Sequence, residues 1–129
     1  SDDLKLEHHK SVVEEFLWNP RKVSVLPRYM RRGGLLADQA SRYKYAKGLA
    51  SRRLVMNANV LHYLLTHPQC IPEQWKELHL ISFLGTIYRS DSGGLVVPYL
   101  YSDRVNSHIG YHGLGLIGEG GYSIAVFKD

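Results

Sequence analysis

The sequence predicts an α+β fold, with helices early in the chain packed on an antiparallel sheet formed late in it. Three observations carry that prediction. Leu80 to Arg89 and Leu95 to Tyr101 are rich in β-branched and aromatic residues and flank Ser90-Asp91-Ser92-Gly93-Gly94, the composition of a β-hairpin. Leu54, Ala58, Leu61 and Leu65 recur at helical spacing with Val60 and Leu64 beside them, and Pro68 stops the run. Asp3 to Trp18 places Leu6, Val13, Phe16 and Leu17 at similar spacing, with Val12 alongside, before Asn19-Pro20.

In chain order, Asp3 to Trp18 is the first expected helix. Lys22 to Met30 alternates weakly through Val23 and Val25 before Pro27 and suits either a short strand or an extended linker. Gly33-Gly34 breaks the chain, and Leu36, Ala40 and Tyr43 then recur at helical spacing up to Gly48 as a second helix. The third helix follows from Leu54. His67-Pro68 through Ile71-Pro72 reads as a rigid loop, and Glu73 to Glu77 as one helical turn carrying Trp75.

In the first hairpin strand Ile81, Phe83 and Ile87 share one face, while Ser82, Thr86 and Tyr88 share the other; Gly85 leaves a gap on the apolar side. Pro98 has no N–H to give a ladder, so its strand is expected at an edge or with a bulge, leaving an irregular rim beside Tyr99 and Tyr101. Val105 to Tyr111, a glycine-rich stretch and a closing strand over Tyr122 to Lys128 complete the chain. The whole reads as a single domain over 1–129, mainly helical to residue 67 and mainly antiparallel strands from residue 78.

Charge is unevenly spread. The net value is only +4, yet Arg21, Lys22, Arg28, Arg31, Arg32, Arg42, Lys44, Lys47, Arg52 and Arg53 crowd one segment against Asp38 alone. Arg28, Arg31, Arg32, Arg42, Lys44, Arg52 and Arg53 form a candidate basic patch, and Tyr29, Tyr43 and Tyr45 interleave with it as where bases stack and phosphates are neutralised. A solvated helical face would show the same composition. No apolar run approaches the roughly 20 residues of a spanning helix, and Ser1-Asp2-Asp3 does not open a signal peptide. The lone Cys70 makes a cytoplasmic location the expectation, with export or surface display as the alternative.

Few motifs carry chemistry. Gly113-Leu114-Gly115-Leu116-Ile117-Gly118 spells G-x-G-x-x-G, but a strand-like Tyr-Ser-Ile-Ala-Val-Phe follows where a dinucleotide fold needs a helix, so no cofactor is expected. His108 and His112 are four apart. On a strand that spacing spans roughly 13 Å, too far to share a metal ion, and no cysteine or carboxylate cluster completes a site. Paired histidines also serve as general acid and base in metal-independent ribonucleases. Cys70 has no activating histidine at a recognisable spacing, and there is no G-x-S-x-G elbow.

Asn57-Ala58-Asn59-Val60-Leu61, Ile71-Pro72-Glu73-Gln74-Trp75-Lys76, Gly85-Thr86-Ile87-Tyr88-Arg89 and Leu100-Tyr101 together resemble a module of small uncharacterised bacterial proteins, over roughly Leu54 to Val126. That module is similar to the variable proteins of diversity-generating retroelements. The resemblance implies a C-type-lectin-like scaffold and a ligand-binding surface scattered with substitutions by adenine-directed mutagenesis. The chain departs from the pattern in having no tryptophan after Trp75 and no Gly-Phe-Arg ending. From Ser102 to Ser123 every residue except Glu119 can be encoded by a codon ending in a pyrimidine.

The expectation is therefore a binding module rather than an enzyme. Tyr99, Tyr101, Asn106, Ser107, His108, Tyr111 and His112 are the candidate contact residues for an unidentified protein or surface ligand. The alternative is a nucleic-acid-binding protein or metal-independent ribonuclease toxin that uses the basic patch and the histidines.

Overall fold

The computed structural model describes residues 4–9, 23–26, 48, 55–78, 80–103, 105–114 and 122–127. Among the described residues seven strands form one mixed sheet: β1 (Lys5–His9), β2 (Val23–Leu26), β3 (Leu80–Ser82), β4 (Thr86–Arg89), β5 (Leu95–Ser102), β6 (Ser107–Gly113) and β7 (Tyr122–Phe127). Among the described residues the helix α1 (Ala58–Thr66) and two 3₁₀ turns, Pro68–Cys70 and Glu73–Glu77, lie between β2 and β3 in the chain.

The expectation of N-terminal helices on a purely antiparallel sheet is corrected in two ways. Lys5–His9 is a strand that pairs with β4, not the start of a helix. Leu6 is 62% exposed, so the helical spacing that included it does not mark a buried stripe there; Glu7 instead accepts from Arg89 Nε at 3.0 Å and ties β1 to the hairpin. The pairing of β3 with β7 is parallel, whereas the other strand pairs run antiparallel. Val23–Leu26 takes the strand alternative and pairs with β7. Gly48 is helical, and the rest of the second expected helix lies outside the described residues.

The third helix forms as expected. Asn57 caps it, its side chain accepting from the Val60 N–H at 3.2 Å, and Thr86 Oγ1 accepts from the Ala58 N–H at 2.8 Å. The Thr86 bond satisfies an N–H of the first turn that lacks an i−4 partner, and the Val60 N–H is shared between the Asn57 side chain and the Asn57 carbonyl. Trp75 is buried from the second 3₁₀ turn.

β5 is the axis of the sheet. One side of it pairs with β6 from Val96 to Ser102; the other pairs with β4 near its start and with β3 near its end. Beyond β5 the sheet therefore forks, β4 leading to β1 and β3 leading to β7 and β2. Residues 55–57 enter the fork. Val55 bridges Val126, the Met56 N–H donates to Ala125 O at 3.0 Å, and Met56 O accepts from the Gly85 N–H at 2.9 Å. Gly85 is needed for space: a Cβ there would lie 2.8 Å from Met56 O and 2.9 Å from its carbonyl carbon.

The fork explains Pro98. β5 is neither an edge strand nor bulged at this residue; the irregularity sits in the chain opposite, at the break between β3 and β4. Pro98 O accepts from the Phe83 N–H at 3.0 Å, and since a strand residue's N–H and C=O point to the same side, the missing N–H faces the break. The break also changes which face the side chains take. Ile81 and Phe83 pack with α1, Trp75 and Leu100 in one core, whereas Ile87 joins Leu95, Val97, Leu114 and Ile124 in a second. Alternation along β5 puts these two cores on opposite faces of the sheet.

Candidate functional site

Alternation divides the expected contact residues between the two faces. Tyr99 and Tyr101 of β5 lie on the face away from α1, with Gly110 and His108 as their register partners; His112, opposite Val97, shares that face. Ser107 and Tyr111 belong to the other face, where Tyr111 meets Tyr88 edge-on at 5.9 Å. Asn106 is in the turn between the strands and is exposed. Ser107–Gly113 is thus a strand paired with β5, reached through a turn at Asp103 to Asn106, and residues 115–121 of the glycine-rich stretch lie outside the described residues.

Four rings form a continuous ladder on the face away from α1. His112 stacks on Tyr99 at 5.4 Å, Tyr99 meets Tyr101 at 5.9 Å, and Tyr101 stacks on His108 at 4.9 Å. Offset stacking at such separations suits the ring quadrupoles. Gly110 seats the ladder, because a Cβ there would overlap the Tyr99 phenol. The ladder runs from a buried end at His112 to an exposed end at Tyr101, which is 37% exposed, and His108.

Asp103 organises the exposed end. Its Oδ1 accepts from the N–H groups of Val105 at 2.7 Å and Asn106 at 2.6 Å, and its Oδ2 accepts from His108 Nε2 at 2.8 Å. These bonds, Asn106's first, hold the carboxyl well below its ordinary value, at about 2. A carboxylate only accepts, so a neutral His108 carries its proton on Nε2 and turns the lone pair of Nδ1 away from Asp103. Val105, at the tip, is 83% exposed.

The buried end is a different environment. His112 Nδ1 donates to Gly113 O at 2.9 Å, because a carbonyl cannot donate, and Nε2 then accepts from the Ser82 hydroxyl at 2.8 Å. Burial pushes the imidazole below its ordinary value, against a smaller upward pull from Gly113 O. A histidine base hydrogen-bonded to a serine is the arrangement that activates a nucleophile. Here Ser82 is 1% exposed and His112 7%, with Tyr99 stacked on the ring, so no substrate reaches the hydroxyl in this conformation.

His112 is therefore a structural member of the sheet and not a displayed contact residue, and it does not stand with His108 at one exposed acid–base centre. Arg28, Arg31, Arg32, Arg42, Lys44, Arg52 and Arg53 all lie outside the described residues. The strand that leads into that segment, β2, is at the opposite side of the sheet from β6. Among the described residues no group of three or more histidine, cysteine or acidic side chains is placed to hold a metal ion, and no helix is long and apolar enough to cross a membrane.

Asp103, Gly110 and Ser82 were not singled out from the sequence. The alternation His108, Gly110, His112 across from Tyr99 and Tyr101, closed by Asp103 and Asn106 as turn residues, is the signal of a second hairpin. No protein-family model, curated protein or solved structure matches the chain.

Proposed function

We propose that this chain is a binding module whose contact surface is the exposed end of the β5–β6 ribbon, formed by Tyr101, His108, Asn106 and Val105. The observation that carries the reading is the ring ladder ending at Asp103. Rigid aromatic side chains, already ordered by their neighbours, lose little conformational entropy when a partner covers them, and an anchored turn presents Asn106 and Val105 without a folding cost. The resemblance to retroelement variable proteins suggests why such a surface would vary: outward residues carry contacts while the cores behind β5 carry the fold. The partner class is a protein or other macromolecular surface.

Photo-crosslinking tests this reading. Benzoylphenylalanine in place of Val105 is expected to capture a partner in native extracts, and added Tyr101→Ala is expected to remove that product without moving the melting temperature. The same probe at Asp91, on the exposed turn between β4 and β5, is expected to capture nothing in common. Equal labelling from both turns, or a product indifferent to Tyr101→Ala, would place the contact surface elsewhere.

A further inference from the structure

Among the described residues β6 has backbone partners only on β5, so its other side is an open edge of the sheet. We propose that two copies of the chain join along this edge, β6 against β6, in antiparallel register about a two-fold axis at Gly110. The pairing is independent of what the ribbon tip binds.

Register decides which groups the edge offers. The Asp103 N–H donates to Asn106 O at 2.9 Å, and alternation from that pair makes Tyr101–His108, Tyr99–Gly110 and Val97–His112 the pairs that exchange backbone bonds across the ribbon. Pro98 agrees, since its carbonyl turns away from β6 to accept from the Phe83 N–H. Ser107, Ile109, Tyr111 and Gly113 therefore point their N–H and C=O groups outward. Among the described residues the outward backbone groups of Ser107, Ile109 and Tyr111 have no hydrogen-bond partner. Gly113 O accepts from His112 Nδ1 and keeps a second lone pair.

This edge lacks the usual guards. Sheet edges are commonly blunted by proline, by charged side chains or by a bulge, and β1 shows two of these devices in Lys5 and Glu7 and in its irregular register between Leu6 and His8. β6 contains no proline, lysine, arginine or carboxylate, and its register with β5 runs unbroken from Ser107 to Gly113. Tyr111 is 38% exposed, and a Cβ built on Gly113 would meet nothing within 4 Å, so an incoming strand has room.

The edge is complementary to itself. In a pairing centred on Gly110, Ser107 meets Gly113 and Ile109 meets Tyr111, each twice by symmetry, and the partial positive charge of every outward N–H faces a carbonyl of the other copy. No outward group is left over. Ile109 and Tyr111 also share the α1 face, so their pairing covers an exposed aromatic ring with a β-branched side chain, a favourable cross-strand combination. At the axis the two copies of residue 110 approach to about 4.5 Å between Cα atoms, and glycine puts no side chain between them. The two ribbon tips point to opposite ends of the joined strands.

Sedimentation and amide hydrogen exchange of the whole chain, from micromolar to millimolar concentration, test the pairing together. The mass is expected to rise from monomer to dimer, and the outward amides of Ile109 and Tyr111 to gain protection in step with it, while the inward amides of His108 and Gly110 are protected throughout. Tyr111→Pro removes an outward N–H and no bond to β5; it is expected to raise the dimer dissociation constant about tenfold or more, because one bond is lost from each copy. Should that variant fail to fold, the exchange pattern of the unaltered chain decides alone. A monomeric mass over the whole range, a dimer whose Ile109 and Tyr111 amides still exchange freely, or protection of those amides already in the monomer would overturn the proposal, the last by assigning the edge to the chain itself.

Discussion

Gly85→Val is expected to cost about 3 kcal/mol or more. The reason is space, since Gly85 is not among the residues with positive φ. Its missing Cβ faces the backbone of Met56 and Asn57 at 2.8 to 3.0 Å, and backbone at the mouth of α1 cannot move aside as a side chain would. Any shift there also strains the Met56 bonds to Gly85 and Ala125 and the Thr86 bond to Ala58, which together fill the fork in the sheet. Gly110→Ala is a built-in comparison. Its Cβ meets the Tyr99 side chain and not backbone, so the ladder is disturbed and the fold loses less. Urea unfolding of the two variants separates these outcomes; equal losses would contradict the fork as the tighter constraint.

Phe83→Ala is expected to cost about 3–5 kcal/mol, as a fully buried aromatic in the core beneath α1. Substitutions at Val105, Asn106 and His108, singly or together, are expected to move the melting temperature by little, because these side chains are outside both cores. His112 does not belong with them, despite its place in the same variable-looking stretch, since it is buried and bonded to Ser82. Thermal melts decide the point. If the turn and His108 variants unfold as readily as Phe83→Ala, the ribbon is part of the core and the display account fails.

Periodicity made the third helix, the hairpin tip and the closing strand legible, because each buries a face whose spacing the sequence repeats. It did not reveal that the first hairpin strand breaks at Phe83 to Gly85, since the cause is a backbone segment arriving from residues 55–57, far away in the chain. That break moved Ile87 to the opposite core from Ile81 and Phe83 and let Pro98 sit in the most central strand. Lys5–His9 carries no local strand signal for a related reason: its strand is defined by pairing with β4 and by the Glu7–Arg89 bond, neither of which leaves a local pattern. Of the candidate site, the residue types were legible and their grouping was not. Cross-strand register decides that Tyr99, Tyr101 and His108 share a face and that Tyr111 does not, and register depends on the turn that Asp103 builds.

The central claim is that an outward-facing ribbon surface varies on a fixed frame, and the DNA flanking the gene tests it most directly. The account predicts a nearby reverse transcriptase gene and a near-identical repeat of the coding segment. The differences between the repeats should be confined to adenine positions and should fall in codons for exposed residues such as Asn106, His108 and Tyr111, sparing those for Ser82, Phe83, Gly85 and Leu100. Absence of any repeat, or differences spread equally over buried and exposed codons, would contradict it.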